Sequence, residues 1–291
     1  RSRDIIGALA HALRDIQGVS LLDQHMDADH HRSVLTFAGS PEAVEEAAFG
    51  VVKVASQLIQ LSTHSGVHPR IGATDVLPFV PLRGATMERC VQLAKSVGAR
   101  IGEELKIPVF LYEEACVHVH RAGLEVIRRG GMEALASRMK NDPGWSPDYG
   151  PNSLHPTAGA LVVGARHPLI AYNVMLDSND LSVAQDIAKT VRSSGGGLPF
   201  LKALGLNLSS RGHVQVSMNL TNFRETPLHV AFEAVKREAG KRGIVILGSE
   251  LVGLVPQEAV TQEASHYLQS GSFTSNQVIE NQLIAEFGSE N

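Results

Sequence analysis

The run LIAYNVML at residues 169–176 begins the stretch of sequence that decides the fold. Apolar and alternating runs of this length predict strands, and segments with 3.6-residue apolar spacing predict helices. The predicted elements are, in order, a strand at 169–176, a helix at 182–192, strands at 201–208 and 214–220, a helix that Thr226-Pro227 caps and that runs to about Gly240, and a strand at 244–247. This β-α-β-β-α-β order is that of the ferredoxin-like unit.

The first half of the chain predicts a similar order of elements. Residues 4–16 predict a helix, 19–23 and 33–37 predict strands, 41–61 predict a helix that Ser40 caps, and 74–82 predict a strand. This α-β-β-α-β order gives the same unit if a first strand precedes Arg1. The chain begins without an initiator Met, so we expect part of the natural N-terminus to be missing. A parallel α/β fold is the alternative for such alternating strands and helices.

Three further segments link these two halves, which meet near residues 166–168. Residues 86–105 predict a helix, 108–112 a short strand, and 122–140 a helix whose basic residues 121–129 are interpreted as a solvated face. Residues 141–157 are rich in Pro, Gly, Asn and Asp and show no period, which predicts a long loop. Loops of this length are usually functional or act as linkers.

Composition excludes several classes of protein. The 291 residues carry 26 Lys and Arg against 30 Asp and Glu, a net charge of −4, and 43% are hydrophobic. Disorder, which needs low hydrophobicity and high net charge, is therefore excluded. The lack of a basic excess disfavours nucleic-acid binding, and no run of about 18 uncharged apolar residues predicts a membrane span. Two cysteines, Cys90 and Cys116, and no signal peptide favour a cytoplasmic protein with buried free thiols.

Most motifs that would reveal a chemistry are absent. The sequence contains no Walker loop, no G-x-G-x-x-G after a strand, no H-E-x-x-H, no C-x-x-C and no G-x-S-x-G. Residues 195–197 are three glycines after a predicted helix. They are interpreted as the loop that ends this helix, and a close approach of the backbone to a ligand is the alternative.

Two polar clusters concentrate the histidines. One spans residues 23–33 and contains DQHMDADHHRS, and the other spans 64–75 and contains HSGVHPRIGATD. His and Asp in such clusters could converge on a metal ion. However, Gly66 and Pro69 argue against a helix that would put the two histidines of the second cluster on one face. A solvated turn and a metal-free acid/base or binding site are the other interpretations.

His68 is the best acid/base candidate in the metal-free interpretation. Histidine titrates near neutral pH, so it can both accept and donate a proton. Arg70 and Arg32 could each hold a carboxylate through paired hydrogen bonds. Asp75 could orient a histidine or simply cap a turn.

The run from His64 to Pro81, HSGVHPRIGATDVLPFVP, resembles the signature of the glutamate formiminotransferases (glutamate formimidoyltransferases). Further segments agree in order: DADHHRS at 27–33, EELKIPVFLY at 103–112, PDYGP at 147–151, GGGLP at 195–199, QVSMNL at 215–220 and GSELVGLVP at 248–256. The resemblance covers nearly the whole chain.

The resemblance implies an α+β fold of two ferredoxin-like (βαββαβ-type) subdomains, with mixed sheets facing each other and helices outside. Residues 1–167 and 168–291 would form these subdomains. The family transfers the formimino group from N-formimino-L-glutamate to tetrahydrofolate in histidine degradation and one-carbon metabolism. Because its bifunctional members carry a second cyclodeaminase domain that is not present here, the chain is expected to be monofunctional.

The resemblance also implies the site residues. The catalytic histidine of the family falls on His68. The folate-binding segment comprises Gly150, Pro151, Asn152, Ser153, Leu154, His155, Pro156, Thr157, Ala158 and Gly159, and His155 departs from the family pattern. Weaker candidates for substrate binding are His25, Arg32, His64 and Arg70. The resemblance predicts tetrahydrofolate as co-substrate, no metal and a homodimer, and the composition predicts no nucleic acid, no membrane and a cytoplasmic location.

Three other functions stay open on the sequence. One is an enzyme of the same fold that handles 5-formyltetrahydrofolate, and another is a non-catalytic folate-binding protein, which the intact His68 disfavours. The last is a metal-dependent hydrolase that would use His25, Asp27, Asp29 and His30.

Overall fold

The computed structural model describes residues 3–27, 32–63, 70–82, 84–208, 212–261, 264 and 273–288. It divides into two compact units, Arg1–Arg166 and His167–Asn291. Both units combine helices with sheets, so the α+β class predicted from the sequence is confirmed. The proposed facing of the two sheets stays a prediction.

The first unit contains five strands and five helices among its described residues. They are α1 (Arg3–Arg14), β1 (Val19–Asp27), β2 (Arg32–Gly39), α2 (Pro41–Leu58), β3 (Val76–Phe79), α3 (Met87–Arg100), β4 (Val109–Glu113), α4 (Leu124–Ile127), α5 (Gly131–Asn141) and β5 (Leu161–Ala165). The α-β-β-α-β order from α1 to β3 agrees with the sequence prediction. Ser40 caps α2 as predicted, because its hydroxyl oxygen accepts a hydrogen bond from Ala43 N.

The described strands of this unit form two sheets. β1 pairs antiparallel with β2, whereas β3 and β4 both pair parallel with β5, which lies between them. The parallel α/β alternative is wrong for the chain, because this three-stranded sheet is the only parallel one among the described strands. The four-stranded sheet of a βαββαβ unit is not formed among the described strands, and it stays a prediction that depends on a strand before Arg1.

Strand β5 was missed in the sequence, although it is the centre of the parallel sheet. Its five residues, LVVGA, are all buried, so they show no alternation of apolar and polar residues. A strand covered on both faces gives only a short apolar run, and here that run follows a loop rich in glycine and proline. The predicted helix over 122–140 is also corrected. It breaks into α4 and α5 at Gly130 and Gly131, which both have positive φ.

The second unit has the predicted β-α-β-β-α-β order. Its elements are β6 (Ile170–Leu176), α6 (Leu181–Val191), β7 (Leu201–Leu208), β8 (His213–Leu220), α7 (Leu228–Gly240), β9 (Ile246–Val252) and α8 (Ile279–Phe287). The strands form one antiparallel sheet in the order β7-β8-β6-β9. This is the strand order that a ferredoxin-like unit requires, because each helix crosses over one intervening strand. Helix α8 was not predicted.

One face of this sheet forms the core of the second unit. Tyr172 and Val174 on β6, Val216 and Met218 on β8 and Leu251 on β9 are buried in one cluster with residues of α6 and α7. The alternation of strand residues puts the intervening side chains on the opposite face. That opposite face carries Asn173, Gln215 and Glu250.

The predicted end of α6 is confirmed, whereas the predicted cap of α7 is wrong. The three glycines at 195–197 lie in the turn that ends α6, where Leu198 N donates to the carbonyl of Val191, as the loop interpretation predicts. Thr226 does not cap α7 with its side chain. The Thr226 hydroxyl donates to the carbonyl oxygen of Pro199 instead, and the helix begins after Pro227 with no side-chain cap.

Candidate active site

The structure describes only some of the predicted site residues. His68 and His64 lie outside the described residues, and so do Asp29 and His30. Arg70 is half-buried and directly precedes a turn that leads into β3. His25 and Arg32 lie on the β1–β2 hairpin, which forms a sheet separate from the parallel sheet that contains β3.

The turn after Arg70 is joined to the end of the predicted folate segment. Ala160 N donates to Ile71 O at 2.8 Å, and Ala73 N donates to Ala158 O at 2.9 Å. Gly72 and Gly159 form an antiparallel bridge between these two stretches. The structure therefore joins residues 71–73, which follow the predicted catalytic His68 in sequence, to the end of the predicted folate segment, about 90 residues further along the chain.

Gly159 makes this close approach possible. Its φ is +70°, a conformation that other residues adopt at a cost. A Cβ at this position would also overlap the carbonyl oxygen of Ile71. The glycine at the end of the folate segment therefore has a structural role in holding the two stretches in register.

Asp75 fixes the shape of the turn. Its Oδ1 accepts hydrogen bonds from Ile71 N at 2.7 Å and Gly72 N at 3.2 Å, so it caps the turn, one of the two roles that the sequence left open. Its Oδ2 accepts a hydrogen bond from Nη2 of Arg128 on the loop after α4. Both side chains are about four-fifths buried, which strengthens a charged pair relative to one in water.

The start of the folate segment is held by α3 and β4. Gly102, in the π-helical turn Ile101–Leu105 that follows α3, packs so closely that a Cβ would lie 2.6 Å from Gly150 N. Val109 N donates to Tyr149 O at 2.9 Å. Segment 150–159 is thus anchored at both ends, and its middle residues Asn152, Ser153 and Pro156 are exposed.

A buried ion pair supports the same anchor. Asp148 accepts hydrogen bonds from Leu111 N at 2.7 Å and from Arg121 Nη2 at 3.1 Å. The side chain of Arg121 is 1% exposed, so the interpretation of residues 121–129 as a solvated face is wrong for this residue. Burial lowers the pKa of the Arg121 guanidinium, and Asp148 opposes this shift. The PDYGP motif contained Asp148, but nothing in the sequence indicated its partner.

His155 organises the hairpin at the end of the folate segment. His155 and Gly159 exchange backbone hydrogen bonds of 2.9 and 3.0 Å. The ring nitrogen Nδ1 of His155 accepts hydrogen bonds from Ala158 N at 3.0 Å and Thr157 N at 3.3 Å. Because Nδ1 is an acceptor, the neutral ring carries its proton on Nε2, which leaves Nε2–H as a donor for a ligand.

A shallow cavity lies at the start of this segment. Its volume is about 400 Å³, and its lining residues are Ala99, Gly102, Glu103, Lys106, Tyr149, Gly150 and Pro151. In the part of the chain that the structure describes, no group of three or more His, Cys, Asp or Glu side chains is arranged to hold a metal ion. No helix among the described residues is long and apolar enough to cross a membrane.

Comparisons with known proteins cover both units. The model of the formiminotransferase domain, N-terminal subdomain, matches residues 1–166, and that of the formiminotransferase domain matches residues 171–287. The chain is 44% identical over 285 residues to the glutamate formimidoyltransferase of Streptococcus pyogenes serotype M1. These residues make up 98% of this chain and 95% of that protein.

Two further relatives are similar to this chain over most of its length. The glutamate formimidoyltransferase of Thermoplasma acidophilum is 42% identical over 285 residues, or 97% of this chain and 93% of that protein. The formimidoyltransferase-cyclodeaminase of Dictyostelium discoideum is 43% identical over 274 residues, which make up 92% of this chain but 51% of that protein.

Proposed function

Because this chain belongs to the formiminotransferase family, we propose that it transfers the formimino group from N-formimino-L-glutamate to tetrahydrofolate. The products are L-glutamate and 5-formiminotetrahydrofolate, and the reaction belongs to histidine degradation and one-carbon metabolism. The chain is a transferase of one-carbon groups, and tetrahydrofolate is its co-substrate. The observation that carries the proposal is its 44% identity to a glutamate formimidoyltransferase over nearly the full length of both chains.

The reaction requires one proton to be moved. At neutral pH the formimino group is an amidinium cation, so its carbon is electrophilic. N5 of tetrahydrofolate attacks this carbon, and the new N5–C bond leaves an extra proton on N5. The bond between the carbon and the glutamate nitrogen then breaks, and that nitrogen gains a proton as it leaves. A base that takes the first proton and supplies the second is sufficient for transfer.

His68 is the proposed proton carrier. Histidine can act as base and then as acid near neutral pH, and the resemblance assigns this role to His68. His68 lies three residues before Ile71, whose carbonyl oxygen is hydrogen-bonded to Ala160 at the end of the folate segment. This junction supports a site in which His68 acts beside bound folate. Holding both substrates together supplies a further part of the acceleration.

The remaining site residues have proposed binding roles. Segment 150–159 binds the folate, with Nε2–H of His155 available as a donor. At least one of Arg32 and Arg70 binds a substrate carboxylate, since guanidinium groups bind carboxylates through two parallel hydrogen bonds. His25 and His64 are weaker candidates for substrate contact. The same proposal includes a homodimer in the cytoplasm, and light scattering of the purified protein tests the dimer.

A product assay tests the proposed function. Purified protein is mixed with N-formimino-L-glutamate and tetrahydrofolate, and the mixture is quenched with acid. Acid converts 5-formiminotetrahydrofolate to 5,10-methenyltetrahydrofolate, which absorbs in the near ultraviolet. We expect this absorbance to require both substrates and the enzyme. Absorbance obtained only when 5-formyltetrahydrofolate or another donor replaces formiminoglutamate would reject the proposed reaction.

A further inference from the structure

The cavity of about 400 Å³ at the start of segment 150–159 lies within the first unit. Its volume falls in the range of small-molecule sites, which is roughly 300–1,000 Å³. The residues that line it belong to the end of α3, to the π-helical turn Ile101–Leu105 with the residue after it, and to the stretch 149–151. π-Helical turns are rare and are often found at functional sites. The volume and the helix irregularity both favour a ligand site here.

Lys106 lines this cavity and has no partner for its charge. Its side chain is exposed, and no carboxylate lies within ion-pair distance of its ammonium group in the part of the chain that the structure describes. Arg100, at the end of α3, is instead paired with Glu46 and Glu104. The ammonium group of Lys106 is therefore available to a ligand that carries a carboxylate.

The backbone conformation of Lys106 favours a different residue. Its φ is +55°, in the left-handed region, where it ends the π-helical turn. Glycine adopts this conformation without a steric penalty and is the usual residue at such a position. Uncommon backbone conformations of this kind cluster at ligand sites. A lysine here is conformationally unfavourable, and binding of a ligand by its side chain is a reason for its presence.

The cavity lies at the same edge of the parallel sheet as the turn that follows His68 in sequence. Strands β3, β5 and β4 lie side by side and point the same way, so the turn before β3 and the residues before β4 lie at one edge, about 10 Å apart. Segment 150–159 spans this distance. The residue before it, Tyr149, bridges to the start of β4, and its last residue, Gly159, bridges to the turn before β3. A long ligand that lies along the segment would reach from the turn to the cavity.

Tetrahydrofolate has the shape and the chemistry that this arrangement requires. A p-aminobenzoyl group separates its pterin, which carries the reacting N5, from a glutamate with two carboxylates. With the pterin beside the turn that follows His68, as the proposed function requires, the tail extends along the segment toward the cavity. There the aromatic ring can pack on the ring of Tyr149, and a carboxylate can pair with Lys106. Glu103, which also lines the cavity, offers an acceptor for the amide N–H that joins the p-aminobenzoyl group to the glutamate.

We propose that this cavity binds the p-aminobenzoylglutamate tail of tetrahydrofolate and that Lys106 pairs with a carboxylate of the tail. The inference rests on the proposed function, because it takes its ligand from that reaction. It gives segment 150–159 a direction, with the tail at its start and the pterin at its end. It also makes Lys106 a binding residue for the co-substrate.

The first test removes the ammonium group. In Lys106→Gln we expect the KM of tetrahydrofolate to rise about threefold to tenfold, as for a partly exposed hydrogen bond between charged groups, while kcat stays unchanged. The matched control is Lys95→Gln, which removes an exposed lysine of α3 that does not line the cavity, and its kinetic constants should equal those of the wild type. An unchanged KM in folded Lys106→Gln would overturn the proposal.

A ligand without the tail shows whether Lys106 acts directly. 6-Methyltetrahydropterin keeps the pterin with its N5 but lacks the p-aminobenzoylglutamate tail. As a competitor of tetrahydrofolate, it should bind the wild type and Lys106→Gln equally well. The tail alone, p-aminobenzoyl-L-glutamate, should bind the variant more weakly by about the same factor as tetrahydrofolate. Equal losses for 6-methyltetrahydropterin and tetrahydrofolate would show that Lys106 does not act on the tail and would overturn the proposal.

Lys106→Gly separates binding from a structural role of the lysine. Glycine relieves the left-handed backbone conformation, so we expect an equal or higher midpoint of urea unfolding. The KM of tetrahydrofolate should nevertheless rise as in Lys106→Gln, and a KM equal to that of the wild type would overturn the proposal. If the wild type transferred no formimino group, dissociation constants from equilibrium dialysis would replace KM. Weaker binding of tetrahydrofolate by Lys106→Gln would then reject the proposed function alone, and equal binding would reject the tail site as well.

Discussion

Asp75 holds the turn after Arg70 in the candidate site. Its carboxylate holds two backbone N–H groups of the turn after Arg70 and the guanidinium of Arg128. In Asp75→Asn the amide oxygen can still cap the turn, but the guanidinium of Arg128, which is about four-fifths buried, loses its counter-charge. We predict a destabilisation of about 1–3 kcal/mol, measured by urea unfolding.

A double-mutant cycle with Arg128→Met isolates the pair. Because either single change removes the same ion pair, the double variant should be less destabilised than the sum of the single variants. Arg89→Met, which breaks the exposed pair of Arg89 with Glu42, is the control and should cost less than about 1 kcal/mol. Strict additivity for Asp75 and Arg128 would show that the pair contributes nothing.

His155 provides a second test at the scale of one residue. Its Nδ1 accepts two backbone N–H bonds that close the hairpin 155–159. In His155→Asn, the side-chain oxygen can take the place of Nδ1, whereas His155→Ala leaves both donors without this acceptor. We predict that His155→Ala raises the KM of tetrahydrofolate severalfold and that His155→Asn raises it less. Equal KM values for the two variants would contradict the structural role of Nδ1.

At the scale of elements, the π-helical turn after α3 controls the start of the folate segment. A methyl group at Gly102 would contact Gly150 N, so Gly102→Ala must displace either the turn or the segment. We predict a destabilisation of about 1–3 kcal/mol by thermal or urea unfolding, as for an overpacked site, together with weaker binding of tetrahydrofolate.

Gly7→Ala is the matched control for this change. Gly7 lies inside α1 and nothing lies within 4 Å of the position that a Cβ would occupy. There, alanine should stabilise the protein by about 0.5–1 kcal/mol through its higher helix propensity. If Gly102→Ala also stabilised the protein and left folate binding unchanged, the close packing of Gly102 on Gly150 would be irrelevant.

The C-terminal end of α7 predicts a pH dependence of stability. The hydrogen bond from Lys241, together with one from Arg242, holds the pKa of Glu238 below its usual range. A carboxyl whose pKa is lower in the folded state stabilises the fold above its unfolded pKa of about 4.3, and this contribution is lost as pH falls through the folded pKa. Unfolding of Glu238→Gln should therefore depend less on pH below about pH 5. Identical pH profiles would contradict the assignment.

The elements differ in how well the sequence predicted them. Helices α6 and α7 and the first three strands of the second unit lie close to their predicted bounds, whereas β9, predicted over 244–247, spans Ile246–Val252. Strand β5 could not be predicted, because it is buried on both faces and so shows no alternation. The break between α4 and α5 at Gly130 and Gly131 was missed because the apolar spacing continues across it.

At the scale of the whole molecule, the two units differ in sheet organisation. The second unit is a complete ferredoxin-like unit with one antiparallel sheet. The described strands of the first unit form a hairpin and a parallel sheet, and the candidate site is attached to that parallel sheet through the turn before β3 and the segment before β5. The order of the elements predicted the sheet of the second unit. The pairing of β3 with β5 in the first unit is a long-range contact, which the spacing of apolar residues does not reveal.

The candidate site was predictable only in part. The resemblance predicts site residues in segment 150–159 and around Arg70, and the structure joins these two stretches through Ile71 and Ala160. The side chains that hold them, Arg121 and Arg128, carry no motif of their own. In sequence they belong to a basic run, and only burial and the opposite carboxylates distinguish them from solvated arginines.

The most direct test of the central claim is the rate of formimino transfer in His68→Ala beside the wild type, with both substrates saturating and the acid-quenched product measured in the near ultraviolet. The account predicts product formation by the wild type and a loss of about 10²–10⁴-fold in kcat for the variant, the range for a residue that carries a proton in the transition state. An equal rate in a folded His68→Ala enzyme would contradict the assignment of His68 as the proton carrier.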